Sequence, residues 1–156
     1  MKNLLINSII LLTLASFLTN CSDSSVDSHS DHADAVGMRI VSSGVTIVSY
    51  IRDSAVDGVI EAQAGESSGH MDVEFYDDEN DSWFIPEEDH FTLLIEIGDT
   101  TIADYWQHEG EEGGFEFHIL GKKAGNTQAV FTIIHDDHPD FVSKEIPLIV
   151  SDGSSI

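Results

Sequence analysis

The stretch from Phe91 to Gly98 reads FTLLIEIG, and its order of residues decides the fold class. Successive side chains of a β-strand point to opposite faces, so every second residue lies on the same face. One face of this stretch would carry only apolar side chains, those of Phe91, Leu93, Ile95 and Ile97. The same alternation recurs in FEFHIL (115–120), AVFTIIH (129–135) and EIPLIV (145–150). Each of these patterns predicts a strand with one buried face.

Shorter apolar runs separated by Gly, Asp, Asn and Ser predict further strands. They are Met38–Val41, Val45–Ile51, Gly58–Ala64, Met71–Tyr76 and Ile102–Trp106. No window shows a helical stripe with caps. About eight or nine short strands with turns between them predict an all-β protein, an immunoglobulin-like two-sheet sandwich. Pro147 cannot donate to a ladder, so the last strand is expected to be an edge strand or to be bulged there.

The first residues predict export rather than a part of the fold. Residues 1–20 combine Lys2 with a short apolar run, which is typical of a signal peptide. Leu18-Thr19-Asn20-Cys21 resembles the bacterial lipoprotein signal, which implies that Cys21, the only cysteine, is lipidated and anchors the chain to a lipid bilayer. The alternative is an ordinary secreted protein with an isolated cysteine. Ser22 follows the cysteine directly, and by the same resemblance this points to the outer membrane of a bacterial envelope.

Composition divides the remaining chain and limits its partners. Residues 21–36 are rich in Ser, Asp and His and predict a flexible tether. Residues 37–151 predict one domain, followed by a short tail at 152–156. The chain has 29 acidic residues against 6 Lys and Arg, a formal charge of −23. Such a charge argues against nucleic acid, whose phosphates it would repel, and favours cations.

Part of the chain resembles the bacterial immunoglobulin-like group 2 domains, over about residues 91–150. The matching elements are the strand Thr101-Ile102-Ala103, the glycine-containing turn Gly121–Thr127, and the final pair of strands, Ala129–Ile134 and Ile146–Val150. Glycines in such a turn are expected to supply backbone angles that other residues avoid. The resemblance implies the fold and a non-catalytic module of an exported protein.

Histidine is the residue type that points to chemistry. The chain has 8 histidines, and imidazole is the commonest protein ligand for zinc and copper. If residues 121–126 form the turn of a hairpin, the loop 107–114 and the segment 135–144 leave the sandwich at the same end. His108, His135 and His138 are then expected to form one cluster that binds Zn or Cu. His118 is expected to be exposed nearby as an additional ligand, and the tether could bring His29 and His32.

The sequence also allows other interpretations. Asp77, Glu79 and Asp81 alternate as in a calcium-binding loop, although an acidic turn between two strands explains them better. No nucleophile motif, zinc-protease motif or phosphate-binding loop is present, which predicts that the protein is not an enzyme. The alternative to metal binding is a structural or adhesive surface module that binds a protein of the envelope or a glycan.

Overall fold

The computed structural model describes residues 32–87 and 90–153. These residues form twelve strands and no helix. The strands are β1 (Gly37–Ser42), β2 (Val45–Ile51), β3 (Asp57–Gly58), β4 (Ile60–Gln63), β5 (Met71–Asp77), β6 (Ser82–Phe84), β7 (Phe91–Ile97), β8 (Ala103–Trp106), β9 (Glu116–Gly121), β10 (Gly125–His135), β11 (His138–Val142) and β12 (Ile146–Ser151). Among the described residues, nothing helical has the length and hydropathy needed to cross a membrane.

The strands form two sheets. The first has the order β3-β2-β1-β5-β9-β8, with β6 also paired to β5. The second has the order β11-β10-β12-β4, with β7 paired to β10. Named neighbours pair antiparallel except β12 and β4, which run parallel. The predicted all-β two-sheet sandwich is confirmed. Three short strands, β3, β6 and β11, were not evident from the sequence.

The core lies between the sheets and follows the alternation that the sequence predicts. In β12 the residues alternate strictly between buried and exposed. Leu93 and Ile95 of β7 are buried, as are Phe117 and Ile119 of β9. Phe131 of β10 is fully buried against Phe117, with ring centroids 5.4 Å apart. The apolar faces of the strands therefore meet in one core, and their removal from water is the main source of stability.

The first described residues lie against this sandwich. The Val36 N–H donates a hydrogen bond to the Tyr76 carbonyl at 2.9 Å, just before β1 begins. Ala33 belongs to the core and is only 9% exposed. Residues 32–36, the end of the predicted tether, therefore pack on the domain. The signal peptide, Cys21 and most of the predicted tether lie outside the described residues, as does the end of the tail, 154–156.

The prediction for Pro147 is wrong, because β12 is not an edge strand and its register with β10 has no bulge at the proline. It pairs with β10 on one side and with β4 on the other. The pairing with β4 begins only at Leu148, one residue after the proline. Strand β12 therefore pairs with β4 only beyond Pro147, which has no N–H to donate to a neighbouring strand.

The expected role of the turn glycines also differs from what the structure shows. Neither Gly121 nor Gly125 is among the residues with positive φ. Gly121 instead lies where the two sheets approach closely, since a Cβ there would stand 2.3 Å from the Gln63 carbonyl oxygen. Two backbone hydrogen bonds hold this approach, from Gly65 N–H to the Gly121 carbonyl and from Gly121 N–H to the Glu66 carbonyl. The glycine is required for its small size.

Gly121→Ala should lower the free energy of unfolding by about 1–3 kcal/mol, because the added methyl group must displace backbone. The measurement is urea denaturation followed by circular dichroism. Gly69→Ala is the matched control, since a Cβ at Gly69 meets nothing within 4 Å. It should change stability by less than about 0.5 kcal/mol. Equal stability of the two variants would contradict the close approach at Gly121.

Candidate metal centres

Possible metal ligands gather in two separate groups within the part of the chain that the structure describes. The first, the three-histidine group, consists of His70, His108 and His118. The second, the hairpin group, consists of His32, His135, His138 and Asp140. In each group the candidate ligand atoms lie within 4.8 Å of one another. The structure thus divides the predicted ligands between two places and does not bring His108, His135 and His138 into one cluster.

The division follows from the pairing of the strands. The hairpin expected at residues 121–126 is not present, because β9 and β10 belong to different sheets. The loop 107–114 instead reaches the side of β7, where the Leu93 N–H donates to the Gly113 carbonyl at 2.7 Å. Strand β11, which begins with His138, pairs with β10 on the side away from β7. Strands β7 and β10 therefore lie between the loop that carries His108 and the strand that carries His138.

Three neighbouring strands position the three-histidine group. Met71 of β5 pairs with Phe117 of β9, which places His70 beside His118. On the other side of β9, Trp106 of β8 pairs with His118, and His108 follows two residues later. Since Phe117 and Ile119 face the core, His118 faces away from it. The strand register alone therefore brings residues that are far apart in sequence onto one outer surface.

The imidazole rings of this group direct their Nε2 atoms toward one another. The Nε2 of His108 lies 3.0 Å from that of His70 and 3.3 Å from that of His118. A zinc ion holds tetrahedral nitrogen ligands at about 2.0–2.1 Å, which separates two such nitrogens by about 3.3 Å. These two spacings are therefore close to that of ligands on one tetrahedral ion, and the candidate ligand atoms of the whole group lie within 4.8 Å of one another.

The opposite ring nitrogens are occupied by hydrogen-bond acceptors. The Nδ1 of His118 lies 3.1 Å from the Ser68 carbonyl oxygen, and the Nδ1 of His70 lies 3.2 Å from a carboxylate oxygen of Glu116. A carbonyl or carboxylate oxygen only accepts, so Nδ1 of each ring carries the hydrogen. In a neutral ring this leaves the lone pair on Nε2. Acceptors behind the ring in this way are the usual orienting partners of metal-bound histidines.

His118 is the best fixed residue of the group. It is only 7% exposed, whereas the sequence predicted an exposed additional ligand. Trp106 covers it, with the two rings nearly parallel at 6° and their centroids 4.1 Å apart. The Trp106 Nε1–H in turn donates to Ser67 Oγ at 2.8 Å. The tryptophan therefore holds the His118 imidazole in place and contacts both His108 and His118.

The hairpin group surrounds one carboxylate. His135 and His138 pair at the end of the β10–β11 hairpin, whose turn includes Asp136 with a φ of 54°. The side chain of Asp140 is 1% exposed, and its Oδ1 lies 3.1 Å from His32 Nδ1 and 3.2 Å from His138 Nε2. Its Oδ2 accepts from the Ala33 N–H at 2.8 Å. The carboxylate thus links the first described residues to the hairpin.

Hydrogen bonds keep Asp140 ionised. Burial raises the pKa of this carboxyl, but the Ala33 N–H and the His32 and His135 rings together outweigh it. The pKa therefore lies below its ordinary value, and the group is a carboxylate throughout the neutral range. A buried, ionised carboxylate surrounded by imidazoles offers one hard oxygen ligand beside three nitrogen ligands.

Two of the carboxylates considered as calcium ligands, Asp77 and Asp81, accept hydrogen bonds within a turn. Asp77 ends β5, and its Oδ1 accepts from the Glu79 N–H at 2.8 Å and from the Asn80 N–H at 3.1 Å. Asp81 accepts a hydrogen bond from the Tyr76 hydroxyl. The hydrogen bonds that form this β5–β6 turn lower the pKa of Asp77, the Asn80 side chain contributing most. Binding of calcium here stays a prediction.

Sequence reasoning missed two central residues, and one predicted ligand cannot be placed. His70 was not proposed because its neighbour β9 is 45 or more residues away, and no local pattern indicates that pairing. Asp140 was not proposed as a ligand. Its place within the HDDHPD segment was the available signal, since two histidines and an acid lie close together there. His29 lies outside the described residues.

Two solved structures are similar to this chain. The crystal structure of the S-layer protein SbsC domains 4 and 5 is 16% identical, with a TM-score of 0.40, over 68% of this chain and 56% of that one. The structure of the S-layer protein SbsC, domains 5-6, is 17% identical, with a TM-score of 0.41, over 67% and 43%. The chain thus spans about half the length of these structures. Neither a scan of protein-family models nor a search of curated proteins found a match.

Proposed function

We propose that the protein binds a divalent transition metal ion, Zn(II) or Cu(II), through His70, His108 and His118. The observation that carries the proposal is the arrangement of ring nitrogens. The Nε2 of His108 lies 3.0 Å from the Nε2 of His70 and 3.3 Å from the Nε2 of His118. Without an ion, the Nε2 of His108 could donate its single hydrogen to only one of its two neighbours. A metal ion would accept the lone pairs of all three.

The ligand type favours zinc or copper over harder or softer ions. Imidazole nitrogen suits Zn(II) and Cu(II), whereas Ca²⁺ and Mg²⁺ prefer oxygen. The thiolate that would favour Cu(I) is limited to Cys21, the residue proposed to carry lipid. The formal charge of −23 would raise the concentration of cations near the surface and speed their capture.

The role proposed for the bound ion is non-catalytic. Glu116 is a carboxylate in contact with the group, and it is occupied in orienting His70. With the leader that resembles a lipoprotein signal, the site would belong to a lipid-anchored module with an immunoglobulin-like fold, held at the outer membrane of a bacterial envelope. Such a module would hold or pass on metal ions.

Calorimetric titration of the purified mature chain with Zn(II) and with Cu(II) tests the proposal. We expect a dissociation constant well below about 100 μM, corresponding to more than about 5.5 kcal/mol of binding free energy. Trp106 gives a second signal, because Cu(II) bound within contact of its ring should quench its emission. Trp83→Phe leaves Trp106 as the single tryptophan, and Cu(II) should still quench the Trp106 emission in this variant. Absence of quenching in this variant would reject binding of Cu(II) at this group, and absence of heat as well would reject binding of either ion.

Chelator separates this proposal from the structural or adhesive alternative. A metal carrier should lose its bound ion in chelator and recover it on reconstitution. A module that binds an envelope protein or a glycan should capture that partner equally well with and without chelator. Partner capture that is the same with and without chelator, together with no metal binding, would favour the alternative.

A further inference from the structure

The hairpin group is a second candidate site that shares no residue with the three-histidine group. It combines three imidazoles and one carboxylate, a complete set of four ligands for a tetrahedral ion. Structural zinc sites are typically closed by four protein ligands. The hairpin group therefore differs in kind from the three-histidine group, which leaves a fourth position to solvent.

Hydrogen bonding alone does not satisfy this group. Asp140 Oδ1 is within hydrogen-bond distance of His32 and His138, but His135 Nδ1 stays 3.8 Å from Oδ2. His135 Nδ1 is buried and has no hydrogen-bond partner within the described chain. A buried polar atom without a partner costs about 1–3 kcal/mol. A metal ion among the four side chains would give this nitrogen a partner.

The ligands of the hairpin group come from two distant parts of the chain. His135, His138 and Asp140 belong to the β10–β11 hairpin, whereas His32 is separated from Asp140 by 108 positions. His32 directly precedes Ala33, whose side chain enters the core and whose N–H donates to Asp140. An ion bound by all four residues would therefore join the N-terminal segment, 32–36, to the hairpin.

We propose that this group is a second, structural metal site that takes a zinc-class ion and fixes the N-terminal segment to the β10–β11 hairpin. The site would act as a metal-dependent clasp between the chain that leads to the proposed anchor and the sandwich. Because it uses none of His70, His108 and His118, it stands or fails independently of the three-histidine site.

Counting bound zinc separates the two sites. The mature chain, dialysed against micromolar Zn(II) and analysed by elemental mass spectrometry, should hold two zinc ions. His135→Ala/His138→Ala and His70→Ala should each hold one, and their combination none. His90→Ala is the matched control, since His90 belongs to neither group, and it should keep two. Asp140→Asn, which keeps the shape of the side chain, should also hold one and covers the case in which the double variant does not fold.

Hydrogen exchange tests the clasp itself. With zinc at about 100 times its dissociation constant, opening that requires loss of the ion becomes about 100-fold rarer. The backbone amides of residues 33–36 should therefore exchange up to about 100-fold more slowly with zinc than with chelator. This zinc effect should persist in His70→Ala and disappear in His135→Ala/His138→Ala.

The outcomes distinguish the two proposals. One zinc ion in the wild type that is lost only in His70→Ala would overturn the clasp and leave the three-histidine site standing. Two zinc ions in His135→Ala/His138→Ala would also overturn it, as would exchange at residues 33–36 that does not respond to zinc. One ion in the wild type that is lost only in the hairpin variants would support the clasp and reject the three-histidine site.

Discussion

Replacing His70 by alanine is expected to weaken zinc binding at the three-histidine group by more than about 100-fold. Removing an outer partner of a metal-bound histidine typically costs about 10- to 100-fold in affinity, and removing the ligand itself should cost more. His70 suits the experiment because its side chain is 51% exposed, so its loss should leave the core intact. Competition with a chromophoric chelator measures the affinity, and circular dichroism checks that the variant is folded.

Two further variants make the result specific. Glu116→Gln removes the charge behind His70 but keeps a hydrogen-bond acceptor, so its affinity should fall by less, about 10-fold. His90→Ala, the control outside both groups, should bind as the wild type does. The order His90→Ala, Glu116→Gln, His70→Ala in increasing loss is the expected signature. Equal affinity of His70→Ala and wild type at this group would exclude His70 as a ligand.

Phe131→Ala should cost about 3–5 kcal/mol of unfolding free energy, the largest effect expected from a single core change. Phe131 lies in β10, is 0% exposed and packs on Phe117 of the opposite sheet. Truncation removes apolar contacts and leaves a cavity between the sheets, and both effects destabilise the fold. Natural domains are stable by only about 5–15 kcal/mol, so the loss should be visible at once in a urea melt.

The control for this change lies on the neighbouring strand. Leu94 of β7 is 42% exposed, and Leu94→Ala should cost much less than Phe131→Ala because less apolar surface leaves the core. If Phe131→Ala unfolds the protein, Phe131→Leu keeps the measurement possible, since it retains most of the apolar volume. A loss below about 1 kcal/mol for Phe131→Ala would mean that the two sheets do not meet at this residue.

The fold could be predicted to the extent that it depends on local alternation. Period-two patterns identify β7, β9, β10 and β12 because burial of one face acts on every second residue. They do not say which strands pair. The neighbours β5 and β9 come from distant parts of the chain, and the turn at 121–125 joins different sheets rather than two paired strands.

The candidate site was predictable in its chemistry and not in its geometry. The number of histidines indicated imidazole ligands, and the HDDHPD segment marks three of the four ligands of the hairpin group. The grouping depends on strand register, since His70 reaches His118 only through the β5–β9 pairing. The burial of His118 likewise depends on Trp106 of the adjacent strand, a contact that no periodicity indicates.

The strand that supplies Asp140 lies at the end of its sheet, and this position bears on self-association. Unpaired outer strands invite pairing with a second molecule, which is a common start of aggregation. Strand β11 is only five residues long, and Pro139 within it has no N–H that could donate a hydrogen bond to a strand of a second molecule. Asp136 and Asp137, both exposed in the adjoining turn, add negative charge that repels a second copy of this acidic chain. The segment 135–140, which carries three of the candidate ligands, therefore also opposes edge-to-edge pairing of β11 with a second molecule.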